Sequence, residues 1–127
     1  MANAITTTKA REKFAKAHGG VAPLPAIIQV GWGTGGHDPM TRLPIVPTAD
    51  LNVIPGELIR KDINGVEFPV PTTLRMFVDL NFLESGDNDI SCCGLYDTDG
   101  DLVAWKTFKP KGMDDETTLE IDWDEQF

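Results

Sequence analysis

Apolar and polar residues alternate most cleanly between Thr72 and Leu83, where Leu74, Met76, Val78, Leu80 and Phe82 interleave with Arg75, Phe77, Asp79 and Asn81. A period of two puts one set on a core face and the other mainly toward solvent, which predicts a strand. Two further β-prone arms, Ile90 to Tyr96 and Leu102 to Phe108, flank the polar tip Asp97-Thr98-Asp99-Gly100-Asp101. Asp-Gly between such arms predicts a hairpin, because Gly reaches positive φ freely and Asp more readily than most residues. Ala26 to Trp32 reads as a strand with Ile28, Val30 and Trp32 on one face. A last strand follows from Leu119, Ile121 and Trp123, whose intervening positions are mostly acidic. Leu58 to Phe68 is expected to be extended, with Asn64-Gly65 as a short turn or a bulge, and with Pro69 and Pro71 stopping it. Lys109-Pro110-Lys111-Gly112 is expected to turn.

The period changes near the N-terminus. Ala10, Phe14 and Ala17 recur at helical spacing, a thin apolar stripe among Lys9, Arg11, Lys13 and Lys16. A Thr from Thr6-Thr7-Thr8 can cap this helix, and Gly19 is expected to end it in the left-handed conformation. From Gly33 to Asp50 no period survives, and Gly33, Gly35, Gly36, Pro39, Pro44 and Pro47 mark a long irregular loop of the kind that carries function. The expected architecture is a single domain over residues 1–127, α+β and mainly β. It is an antiparallel sheet or sandwich of about six strands, with one short N-terminal helix at about 8–18, the loop at 33–50, and an acidic strand and tail at 114–127.

A net charge of −9 argues against nucleic-acid binding, which needs a basic face to neutralise phosphates. The charge is also uneven. Asp114, Asp115, Glu116, Glu120, Asp122, Asp124 and Glu125 crowd the C-terminal segment with no Lys or Arg among them. A solvated tail is one reading, and a tail docked on a basic surface of a neighbouring subunit is the other. No apolar run is long enough to span a bilayer, and the first residues lack the order of a signal peptide, so general secretory export is not expected. Cys92 and Cys93 are adjacent, which makes no disulfide framework and predicts one buried thiol and one facing outward.

Most candidate chemistry fails on context. Gly31-Trp32-Gly33-Thr34-Gly35-Gly36 has the spacing of a dinucleotide loop, but His37-Asp38-Pro39-Met40 cannot begin the helix whose N–H groups would hold the pyrophosphate. Asp97, Asp99 and Asp101 resemble the start of a calcium loop, yet its sixth and twelfth positions hold Leu102 and Phe108, so the stretch reads as a turn. His18 suits a helix C-terminus. His37 lies in the irregular loop, where copies in a symmetric oligomer could converge on an axis. No nucleophile elbow is present, and the carboxylates sit on turns and the tail. Neither an enzyme, a cofactor nor a metal is expected.

The hairpin carries a resemblance. Ile90-Ser91, Gly94-Leu95-Tyr96-Asp97 and Asp99-Gly100-Asp101-Leu102-Val103-Ala104 resemble the I-S-E-x-G-L-F-D-x-D-G-x-L-[IV]-A hairpin of the phage tail-collar fibre family, the N-terminal domains of many phage tail fibre proteins. Thr6-Thr7-Thr8-Lys9-Ala10, Val30-Gly31-Trp32-Gly33 and Leu58 to Ile63 resemble other parts of that family in the same order. Cys92 stands where family members carry an acid. The resemblance implies a structural protein of the virion tail, assembled in the host cytoplasm, that attaches or positions fibre and receptor-binding parts at the baseplate. Its partners would be other tail and baseplate proteins and a fibre chain, and it would be a homo-oligomer, a trimer by resemblance. With the chain stopping at Phe127, an adaptor or baseplate-peripheral subunit is expected, the receptor-binding shaft being left to another chain.

The candidate interaction residues are Lys9, Arg11 and Phe14 on the helix, Trp32, His37 and Trp105, and Asp122 and Asp124 in the last strand. Cationic helix and acidic strand offer complementary surfaces. A carbohydrate- or ligand-binding β-sandwich, with the Gly33–Asp50 loop as its binding edge and Trp32 as a stacking platform, is the alternative. A cell-wall hydrolase is the third reading.

Overall fold

The computed structural model describes residues 3–81, 89–111 and 118–126, with side chains described for 4–80 and 89–110. Among the described residues the chain is mainly β, with eight strands and one helix. In order these are β1 (Asn3–Thr6), α1 (Thr8–His18), β2 (Ile27–Gly33), β3 (Glu57–Asp62), β4 (Gly65–Val70), β5 (Thr73–Asn81), β6 (Ile90–Asp97), β7 (Leu102–Lys111) and β8 (Thr118–Gln126). A five-stranded sheet has the order β1-β7-β6-β2-β3, and a three-stranded sheet the order β4-β5-β8. Every pairing is antiparallel.

The two sheets face each other across one core. Val30 and Trp32 of β2, Met76, Val78 and Leu80 of β5, Ile90, Cys93 and Leu95 of β6 and Val103 and Ala104 of β7 pack together with Ala10 of α1. The alternation of β5 is realised as read, with Met76, Val78 and Leu80 buried and Phe77 and Asp79 less so; Phe82 and Leu83 lie outside the described residues. The other face of the large sheet carries a second cluster of Cys92, Tyr96, Leu102 and Trp105, roofed by Ile54 and Leu51 from the irregular segment between β2 and β3. The fold is therefore layered as small sheet, large sheet and irregular segment, so that strands β6 and β7 are covered on both sides.

Local chemistry explains the helix. The Thr7 side chain accepts from the Ala10 N–H at 3.2 Å and its hydroxyl reaches the Leu102 carbonyl at 2.5 Å, so one buried residue both caps α1 and ties it to β7. The C-terminus differs from expectation. Gly19 is right-handed, and Gly20, at φ 74°, takes the left-handed position while the N–H groups of Gly20 and Val21 bond to the carbonyls of Ala17 and Lys16. That double bond pattern requires the residue after the cap to be the left-handed one.

Other expectations are corrected by the layering. Ile28 does not share the Val30 and Trp32 face; a register shift against β6 between Ile27 and Gln29 turns it outward, and Ile27 packs on the core instead. Asn64-Gly65 is neither a hairpin turn nor a bulge in one ladder. It is where the chain leaves one sheet for the other: the Ile63 N–H bonds to Ile28 in the large sheet and the Asn64 N–H to Phe77 in the small one. Pro69 lies within β4, tolerated because β4 is an edge strand with a register shift between Glu67 and Val70. Lys109-Pro110-Lys111 continues β7 and does not turn. Gly112 and residues 114–117 lie outside the described residues.

Candidate interaction surface

The turn of the β6–β7 hairpin is built by Asp97. Its Oδ1 accepts from the N–H groups of Asp99 and Asp101 at 3.0 and 3.1 Å, and Gly100 supplies the left-handed residue at φ 81°. Folding the tip this way gathers the carboxylates of Asp97, Asp99 and Asp101 within 4.8 Å of one another. The ammonium of Lys13, on α1, occupies the centre of that group, at 2.6, 3.0 and 2.8 Å from Asp97, Asp99 and Asp101. An ammonium has three protons, and here each meets a carboxylate. Burial alone would lower the Lys13 pKa, but bonds to Asp101, Asp97 and Asp99 outweigh it and raise it above the usual lysine value. The Lys13 bond in turn holds the Asp101 carboxyl below its usual value. The tip is thus a turn, as expected, and it is also the clamp that fastens α1 to the sheet.

Lys13 and Asp97 also line an apolar groove of about 260 Å³. Ala10 and Phe14 of α1, Leu24 and Ile27, Leu74 of β5 and Val103 of β7 supply its walls. The groove exists because α1, the segment that enters β2, β5 and the β6–β7 hairpin meet there, with Leu74 and Phe14 half-buried.

On the opposite face the irregular segment is sewn to the hairpin by polar bonds. The Trp105 indole donates to the Thr48 carbonyl at 2.8 Å, and the Thr107 hydroxyl to that of Ile45 at 2.6 Å. Tyr96 accepts from the Ile54 N–H, donates to Glu57, and lies 3.6 Å beneath the Arg60 guanidinium. Burial, with the Glu57 carboxylate beside it, raises the Tyr96 pKa above the usual phenol value. His37 Nδ1 is 3.0 Å from Ser91 Oγ, but Ser91 donates its proton to the Gly35 carbonyl at 2.6 Å and is fully buried. His37 therefore acts as donor in this pair, the reverse of what would activate a serine. The Gly31-x-Gly33 spacing is a packing device. A Cβ on Gly31 would meet the Tyr96 ring at 2.6 Å, and one on Gly33 the Pro55 carbonyl at 2.7 Å.

The predicted interaction residues divide sharply. Lys9 and Arg11 are exposed on α1, and Phe14 lines the groove. His37 is half-buried in its bond to Ser91. Trp32 and Trp105 are corrections: at 0% and 1% exposure both are core, so Trp32 offers no stacking platform for a sugar. The two-sided cover of the large sheet, which local sequence does not reveal, is the reason. The same cover buries both Cys92 and Cys93, against the expectation of one outward thiol, and burial pushes each pKa up to about 12. Asp122 and Asp124 are placed by backbone register alone, opposite Phe77 and Arg75. Sequence reasoning missed Lys13 as the clamp and Leu24, Ile27 and Leu74 as groove walls. The signal for Lys13 was available, a cation beside the apolar stripe of α1 and a turn with three aspartates. Comparison with family models, curated proteins and solved structures returns no match to this chain.

Proposed function

We propose that this chain is a structural component of a phage or phage-like tail, attaching or positioning fibre or receptor-binding parts at the baseplate and catalysing nothing. The observation that carries the reading is the hairpin from Ile90 to Lys111. Its residues Gly94-Leu95-Tyr96-Asp97 and Asp99-Gly100-Asp101-Leu102-Val103-Ala104 are those of the tail-collar fibre resemblance, and each of the distinctive ones has a part in the turn or the two cores. The spent proton of Ser91 weighs on the same side, since a buried hydroxyl already bonded to Gly35 is no nucleophile. Exposed Lys9, Arg11 and Lys16 on α1 and the acidic residues of β8 supply opposite charges for contacts within an assembly.

The test is density for this chain in an assembled tail tip. The proposal expects it at the baseplate, in contact with a fibre or receptor-binding chain. Tails that assemble complete without it, together with no binding of the purified chain to tail proteins, would overturn the proposal.

A further inference from the structure

At Asn64-Gly65, where the chain passes from one sheet to the other, a reactive sequence meets an open structure. Asn64 is the one asparagine in the chain that a glycine follows; the others precede Ala, Val, Phe and Asp. An asparagine side chain is open to attack at Cγ by the backbone nitrogen of the next residue. A Cβ on that next residue crowds the five-membered ring that forms, and glycine has none. At Gly65 the space is open as well, since an added Cβ would meet nothing within 4 Å. Asn64 is exposed, and its side chain has no hydrogen-bond partner among the described residues.

The backbone allows the approach. Gly65 begins β4, an edge strand with five of its six residues exposed. The end of such a strand opens locally, without global unfolding. The Asp99-Gly100 step makes the contrast, because an aspartyl-glycine pair can close the same ring. There the Gly100 N–H is bonded to the Asp97 carbonyl at 2.9 Å and the Asp99 carboxylate to Lys13 at 3.0 Å, so both reacting groups are held.

We propose that Asn64 is a site of self-modification, converting through a cyclic imide to a mixture of aspartate and isoaspartate. The Gly65 nitrogen bonds to Asn64 Cγ and gives up its proton, while the bond from Cγ to the side-chain nitrogen breaks and ammonia leaves. Water then opens the imide. Addition at the side-chain carbonyl gives aspartate, and addition at the main-chain carbonyl gives isoaspartate, whose backbone is longer by one methylene. Water is the only co-reactant, and nothing is oxidised or reduced. The added methylene falls between the Ile63 N–H, bonded to Ile28 in the large sheet, and the pairing of Gly65 with Phe77 in the small one. It therefore slackens β4 and leaves the β6–β7 hairpin alone. The inference concerns the covalent chemistry of the chain and stands apart from the tail reading.

The folded full chain, held in warm, mildly alkaline buffer, tests it by peptide mapping and isoaspartyl methyltransferase labelling. Conversion is expected at Asn64 and not at Asp99, with one negative charge added to the net −9 and visible on ion exchange. Gly65→Ala, for which the structure has room, slows conversion by about tenfold. In the isoaspartate form the β4 amides exchange faster, while those of Cys92 to Tyr96 keep their protection. A folded chain in which Asn64 stays intact overturns the inference. So does conversion at the same rate in Gly65→Ala, and unchanged β4 exchange in the isoaspartate form overturns the slackening.

Discussion

In the β6–β7 hairpin every residue of β6 is buried, whereas in the β4–β5 hairpin five of the six residues of β4 are exposed. Both are rich in apolar residues, so composition does not separate them. Position in the layers does. The inner strands β6 and β7 have the small sheet on one face and the irregular segment on the other. Strand β4 is an edge strand that overhangs the larger sheet. The first hairpin holds the fold together, and the second turns apolar surface outward.

The sharpest contrast is between their aromatic residues. Trp105→Ala removes a fully buried indole and its bond to Thr48, and should cost about 4 kcal/mol of unfolding free energy. Phe68→Ala, at 66% exposure, should stay within about 0.5 kcal/mol for the single chain. Denaturant unfolding of the two variants checks both, and equal losses would erase the distinction.

Next in size is the clamp. Lys13→Met leaves Asp97, with its side chain 1% exposed, without its ammonium and should cost about 3 kcal/mol, the low end for breaking a buried pair because two backbone N–H donors remain. Its pH dependence has a definite sign. Asp101 is depressed on folding, so its contribution is complete above the unfolded aspartate value near 3.8 and is lost as pH falls through the lower folded value. Lys13 is raised, so its contribution is complete below 10.5 and is lost as pH rises through the higher folded value. The stability difference between wild type and Lys13→Met should therefore be flat between those limits and shrink beyond each. A difference that peaks in the neutral range would mean another group titrates.

The smallest effects compare glycines. A Cβ on Gly94 would meet Leu102 and Ile54 at 2.6 and 2.7 Å, so Gly94→Ala should cost about 2 kcal/mol. At Gly65 of β4 a Cβ meets nothing within 4 Å, and Gly65→Ala should be neutral or stabilise by about 0.5 kcal/mol. Thermal midpoints moving in the same direction would contradict the difference in cover.

What the sequence made legible follows the range of the interactions involved. The Asp97–Asp101 turn, α1 and the alternation of β5 depend on neighbours a few residues apart, and all three are where the pattern puts them. The switch between sheets at Asn64, the burial of Trp32, Trp105, Cys92 and Cys93, and the short strand β1 depend on partners far along the chain. The irregular segment from Thr34 to Gly56 has no period, yet it supplies the roof that turns a half-exposed hairpin into a core. The candidate site was legible only in part. Phe14 and the cations of α1 were readable from the helical stripe, while the groove needs Leu24 and Ile27, from the segment that enters β2, brought against Leu74 of β5.

Amide hydrogen exchange tests the contrast between the two hairpins most directly. The predicted result is that Cys92 to Tyr96 exchange only through global unfolding. The β4 amides would exchange much faster, through local opening of an exposed edge strand. Equal protection of β4 and β6 would contradict it.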